Sequence, residues 1–561
     1  MKTKTLIGYY LALFVGALLY WFVTLIPLNL RDQTFFFHFI ALVFLILLPF
    51  YGFGLRKMFR DGVGTARGSQ AGAGKAWAFQ AGSVKSLLST KRLLLVPIGL
   101  LVLYIVLNLT GLPLFQAKNY ASLIERVDGV FQDDIAEIQF YDIPTVDRVS
   151  AIRLGNKKMG EISDLVSQFN VSEDYIQINY RGRPVRVTPL EYGDIFKWFN
   201  NRSEGIPRYI RVDLISSDVD LDVIAGGMKY SQSEPLLRNI DRHVRFQFPF
   251  AILGDEMFEI DESGVPYWIT PVLSPRVGWF NGLDVKDVIL TNAVDGKSTR
   301  VPIAECPSWV DRAYPSEMLI HQLNDNGRYQ SGWLNSMFGQ RGVLQTTAGY
   351  NYLALNDDVF LYTGITSVSG DSSNLGFVLV NQRTKETTYY QVTSADEYSA
   401  MASAQGAVQE KGYQSTFPIL LNIEGRPTYC MALKDRAELV KMYALVDAQN
   451  YQVTAVGDSI RAALANYKVR LAAQLTNDEE LSTEPLEYET IDGTIADISA
   501  VVIDGNTYFY FMLEDHEQVF TAAHGAYERL PFLQAGDLVQ VDYRETGGSL
   551  TIVESMRGLD D

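Results

Sequence analysis

Two cysteines in 561 residues exclude a disulfide-built scaffold. Cys306 and Cys430 leave two readings open: one bridge outside a cell, or two unpaired buried thiols. Histidine is nearly as scarce, and His38, His243, His321, His516 and His524 lie at no metal-ligand spacing. Asp218, Asp220 and Asp222 alternate with Val and Leu, which puts them on one solvated strand face. A calcium loop would need Gly where Val223 stands. Nothing in the chain implies a cofactor. Basic charge is also missing from most of the length. Residues 1–115 hold 11 Lys/Arg against 2 Asp/Glu, whereas the remainder holds 37 against 63, a net of −26. That balance excludes a general nucleic-acid surface.

The first 115 residues have long apolar runs instead. Residues 6–28, 35–55 and 93–115 each approach the ~20 residues that carry a helix across a bilayer. A cleaved signal peptide is the competing reading of the first run, but no small-residue cleavage site follows it. Between the second and third runs lie Arg56, Lys57, Arg60, Arg67, Lys75, Lys85, Lys91 and Arg92 against Asp61 alone. Basic loops stay cytoplasmic, so the expectation is a three-span anchor over 1–115 with its N-terminus inside. Residues 116–561 would then be extracytoplasmic, and the first partner is the lipid bilayer. Within the basic loop, Ser69-Gln-Ala-Gly-Ala-Gly-Lys75-Ala76 is similar to a phosphate-binding P-loop. It lacks the first Gly, the Ser/Thr after the Lys and a preceding strand, and reads as a flexible basic linker facing lipid.

Beyond residue 116 one pattern recurs. Phe258-Glu-Ile-Asp-Glu-Ser-Gly-Val-Pro-Tyr-Trp268 runs into a Gly-x-Pro turn and out through an aromatic stretch. Ile178-Asn-Tyr-Arg-Gly182-Arg-Pro184 and Leu421-Asn-Ile-Glu-Gly425-Arg-Pro427 do likewise; Leu353-Ala-Leu-Asn-Asp-Asp358 is a looser copy. Each predicts a β-hairpin, with Gly at positive φ and Pro directing the outgoing strand. The anchoring positions Gly182, Gly264, Asp358 and Gly425 are 82, 94 and 67 apart, an irregular duplication without a fixed period. Helices are expected at 160–169, 234–244, 314–323 and 395–410, giving four α+β units over 116–230, 231–313, 314–394 and 395–476. In each, a helix on an antiparallel sheet buries one face of both. The order of helix, hairpin and a Val-Asp-x-x-Thr-like strand resembles the PepSY-type modules of secreted bacterial proteins, over about residues 120–465. The chain as a whole resembles uncharacterised membrane-anchored envelope proteins of Gram-positive bacteria.

After a charged linker (477–489), residues 490–561 predict five strands, at 492–499, 506–513, 518–522, 537–543 and 549–553. With a helical turn near 526–530 between strands three and four, the segment resembles a small oligomer-binding (OB) barrel. Residues 490–555 contain Arg529 and Arg544 and no Lys, so a structural or protein-binding barrel is expected over a nucleic-acid reader.

Chemistry is thin. Gly457-Asp-Ser459-Ile resembles the nucleophile block of GDSL lipases, yet neither His516 nor His524 has the Asp three residues before it that those enzymes need. Asp458 or Ser459 is expected to cap a helix instead. One cluster remains. Residues 181–211 hold Arg181, Arg183, Arg186, Lys197, Arg202, Arg208 and Arg211 against three acids, a local net of +4. Solvated charge is the plainer reading. The sharper one has Arg181, Arg183, Arg186 and Arg208 facing outward to hold anionic lipid or a phosphate-bearing wall polymer. The expected function is a non-enzymatic envelope scaffold that contacts other envelope proteins. The alternative is a peptidase-associated regulator or hydrolase module.

Overall fold

The computed structural model describes residues 3–64, 95–138, 143–368, 373–474, 489–503, 506–514, 516, 518–523, 526–527, 529–544 and 550–559. Between 145 and 457 one antiparallel arrangement occurs four times, built on a long central strand: Arg183–Tyr192, Pro266–Val277, Asp358–Ser367 and Arg426–Lys434. The first half of each pairs with its hairpin partner, Ile176–Tyr180, Met257–Ile260, Asn351–Leu355 or Ile419–Ile423. The second half pairs on the same edge with a short strand that follows the unit's helix. Two more strands extend the other edge: Ile206–Asp213 and Val219–Met228 in the first unit, and their counterparts in the rest.

Local chemistry dictates this repetition. Arg181-Gly182, Asn356-Asp357 and Glu424-Gly425 all have positive φ, the two-residue turn whose twist matches that of paired strands. The second unit spends one residue more, and Gly264 takes φ +79°. The sequence places Asp358 in its turn; instead it opens the outgoing strand, opposite Leu355. A second device closes each unit. Asp213, Asn292, Asn381 and Asp447 end the fourth strand, and their side-chain oxygens accept N–H groups two or three residues on. The next residue's N–H returns to the central strand, at the carbonyls of Pro184, Pro266, Val359 and Pro427. Its carbonyl accepts from the segment leading into that unit's own helix: Thr145 and Val146, Lys229 and Tyr230, Ala313 and Tyr314, or Ala395. Asn292→Ala removes two such caps, at 2.8 and 3.2 Å. It is expected to lower unfolding stability by ~1–2 kcal/mol in denaturant titration of the full chain.

The helices differ from expectation at their boundaries. The first runs over Arg148–Gly160, capped by Asp147 on the Ser150 N–H, and only a short turn, Ser163–Val166, falls within 160–169. The others are Ile240–Gln247, Ser316–Tyr329 and Glu397–Gly406. Residues 113–138 do not join the first unit. The helix Pro113–Ala121 packs beside Ser316–Tyr329, and Val127–Gly129 adds a parallel sixth strand to the third sheet. Asn422 of the fourth unit donates to the Ile135 carbonyl at 2.6 Å.

Two helices, Thr3–Thr24 and Gln33–Gly64, contain stretches long and apolar enough to cross a bilayer. The third run is interrupted. Leu95–Leu109 stops before Gly111, and Pro113, suited to a first helical turn, starts Pro113–Ala121 at an angle of 50°. Residues 65–94, with the Ser69–Ala76 stretch, lie outside the described residues.

The second unit sits on one end of these helices. Leu28 donates its N–H to Pro249 O (2.8 Å), Asn29 reaches Phe250 O (2.9 Å) and Arg31 reaches Pro275 O (2.9 Å). Trp279 donates its indole N–H to Leu30 O and its backbone N–H to Thr110 Oγ1. Phe280 packs against Phe36 and Tyr104.

Residues 477–561 form a separate compact unit. Glu489–Ile503, Asn506–Leu513, Val519–Ala523, Leu538–Arg544 and Leu550–Gly558 close a barrel in the order first, second, third, fifth, fourth. The third and fifth strands are parallel, and a helical turn, Leu530–Phe532, precedes the fourth. Ile495, Phe511, Phe520, Val539 and Val541 fill the interior.

Candidate functional site

The four arginines expected to converge are dispersed. Arg183 and Arg186 are three apart on one strand and so project from opposite faces. Arg183 pairs with Asp213 at 2.9 Å. Arg181, at the hairpin tip, lies over the Tyr180 ring and donates to the Glu262 carbonyl of the next unit's hairpin loop. Arg208 donates to Leu221 O. Of the remaining basic residues, Arg211 binds Asp220 and Asp222, and Lys197 binds Asp194. The local +4 is therefore spread through ion pairs and carbonyl contacts and makes no common anion-binding face.

Arg186 is the exception. It is 6 % exposed and faces a cavity of about 330 Å³ between the first, third and fourth units. Its Nη2 donates to Gln177 Oε1 at 3.2 Å and Nη1 reaches Tyr175 O only at 3.5 Å. Nε has no acceptor, and no carboxylate of the described residues lies within ion-pair range. Burial pulls the guanidinium down to about 10, with the Arg312 charge adding to the effect. Asp147, on the same wall, is already taken: both its oxygens accept from Lys434 Nζ, at 2.7 and 2.8 Å. Burial would raise the Asp147 carboxyl, but the ammonium outweighs it and holds the group below its usual range. Tyr350, Tyr352, Phe417 and Tyr443 supply aromatic wall. Cys430 also lines the cavity, and burial pushes its thiol up to about 12, which keeps it protonated and unreactive. It and Cys306 are both free.

A second buried polar group sits where the first three units meet. Glu259 is fully buried and accepts the backbone N–H groups of Asp311 and Arg312, both at 2.9 Å. Asp311, 1 % exposed, accepts the Asn179 N–H at 2.7 Å through Oδ2, while Oδ1 has no partner. Burial lifts Glu259 to about 7 against the pull of the two N–H groups. Asp311 is lifted the same way, first by burial and then by the Glu259 charge. These contacts tie hairpin to hairpin and to the connection between units two and three.

No protein-family model matches the chain, and no curated protein matches its sequence.

Among the described residues no three His, Cys, Asp or Glu side chains are grouped to hold a metal ion. Ser459 accepts the Ala462 N–H and so caps the helix Ile460–Gln474, as expected from sequence. Sequence reasoning missed Glu259 and Asp311. The signal available was a Glu in an otherwise apolar run, Met257-Phe-Glu-Ile260, where every residue is buried. The cavity wall around Arg186 gave none, because it comes from three units.

Proposed function

We propose that this is a membrane-anchored protein of the bacterial cell envelope whose region beyond the third apolar run is a non-catalytic interaction scaffold. The observation that carries this reading is the seat of the second unit on the helix ends. Hydrogen bonds from Asn29, Arg31 and Trp279, and the packing of Phe280, hold a large folded body against one side of the apolar helices. The two chain segments engaged, 28–31 and 110–111, are the ones that the basic loop at 56–92 would place outside. Four units of one connectivity, joined through buried polar contacts, make a firm surface suited to other envelope proteins. PepSY-type ancestry for the units is supported by their order of helix, hairpin and paired strands. An OB-type reading of the barrel is supported by its strand order and the parallel third and fifth strands.

The topology has a direct test. Protease added to intact cells stripped of wall is expected to digest residues after 121 and spare the 56–92 loop. Survival of the large region under those conditions, with its digestion only after lysis, would reverse the orientation and remove the envelope role.

A further inference from the structure

We propose that the cavity at Arg186 is a binding site for a small organic anion, with one carboxylate or phosphate on the guanidinium and an apolar body against the aromatic wall. Burying a guanidinium without a counter-charge costs several kcal/mol, so folded chains pair such groups or let a ligand pair them. This fold pairs the other buried cation of the region, Lys434, with Asp147. It leaves Arg186 with one side-chain amide, one long carbonyl contact and an idle Nε. The unused donors belong to a planar group that matches the two oxygens of a carboxylate or phosphate.

The walls narrow the ligand further. Tyr350, Tyr352, Phe417, Met431 and Tyr443 are mostly ring and thioether surface, a lining suited to an aromatic or short aliphatic body. About 330 Å³ lies at the low end of small-molecule sites, ~300–1,000 Å³. A lipid or wall polymer could enter only by a terminal group. Because the first, third and fourth units each contribute wall, an occupant would also brace them against one another.

The experiment uses the full-length protein in detergent micelles, titrated with benzoate, phenyl phosphate and inorganic phosphate against sodium chloride at matched ionic strength. Benzoate or phenyl phosphate should raise the melting temperature saturably, and inorganic phosphate should do so less. Arg186→Met should weaken that binding at least tenfold, while Arg186→Lys keeps part of it. Without ligand, Arg186→Met should melt no lower than the parent, since it removes an uncompensated buried charge. If Arg186→Met does not fold, Tyr443→Trp, which keeps the arginine and fills the space, should abolish the probe response. A parent protein indifferent to all three probes, or an Arg186→Met or Tyr443→Trp variant binding them as well as the parent, would overturn the proposal.

Discussion

Gly278→Val should release the second unit from the helix ends while leaving its sheet intact. Gly278 has φ +58°, and a β-carbon there would lie 2.7–2.8 Å from the backbone N and Cα of Gly111 and the carbonyl carbon of Thr110. Neither side can yield by rotating a side chain. Left-handed φ costs a β-branched residue ~1–2 kcal/mol, and overpacking against backbone adds ~1–3 kcal/mol. A loss of ~2–5 kcal/mol rivals what the hydrogen bonds of Leu28, Asn29, Arg31 and Trp279 return, at ~1 kcal/mol each. Cysteines placed at Asn29 and Phe250, whose parent residues share a 2.9 Å hydrogen bond, should cross-link readily in the parent and poorly in the valine variant. Gly278→Ala should be intermediate. Equal cross-linking in all three would mean that the contact does not hold the unit in place.

What was legible in the sequence was what a few adjacent residues decide. Arg181-Gly182 and Glu424-Gly425 carry their turn type with them, so the hairpins could be placed to the residue. The five barrel strands follow from alternation and turn residues in the same way. The first unit's helix was expected at 160–169, whereas Asp147, the residue that starts it, stands a full helix earlier. Residues 116–138 were assigned to the nearest unit in sequence. Their partners, Asn422 and the strand Thr387–Tyr390, lie more than 250 residues away, and no local pattern encodes such a pairing. The arginine cluster was half legible. Spacing along one strand already separates Arg183 from Arg186, but which face is buried depends on two other units.

Acidification should stabilise this protein through Glu259, an uncommon direction for a buried acid engaged by two N–H donors. Its carboxyl is lifted from 4.5 to about 7, chiefly by burial. Between those values the folded chain holds a proton that the unfolded chain has released. Unfolding therefore gives up a proton, and stability falls as pH rises from about 4.5 to 7, then levels off. At ~1.4 kcal/mol per pH unit, the contribution amounts to order 3 kcal/mol. Asp311 is shifted in the same direction and adds to it, whereas Asp147, held low by Lys434, works against it at acid pH. The measurement is therefore a difference: denaturant stability of the parent and of Glu259→Gln at intervals from pH 8 to 5. The amide keeps the volume and cannot titrate, so the part of the slope that belongs to this residue should vanish. Because both Glu259 oxygens accept N–H bonds, the amide NH₂ must face one donor, and the variant should lose ~1–3 kcal/mol at low pH, where the parent's acid is protonated. The two curves should converge as the parent's carboxyl ionises towards pH 8. Parallel curves would mean that Glu259 keeps one protonation state throughout, and that the junction of the first three units does not respond to pH through this residue.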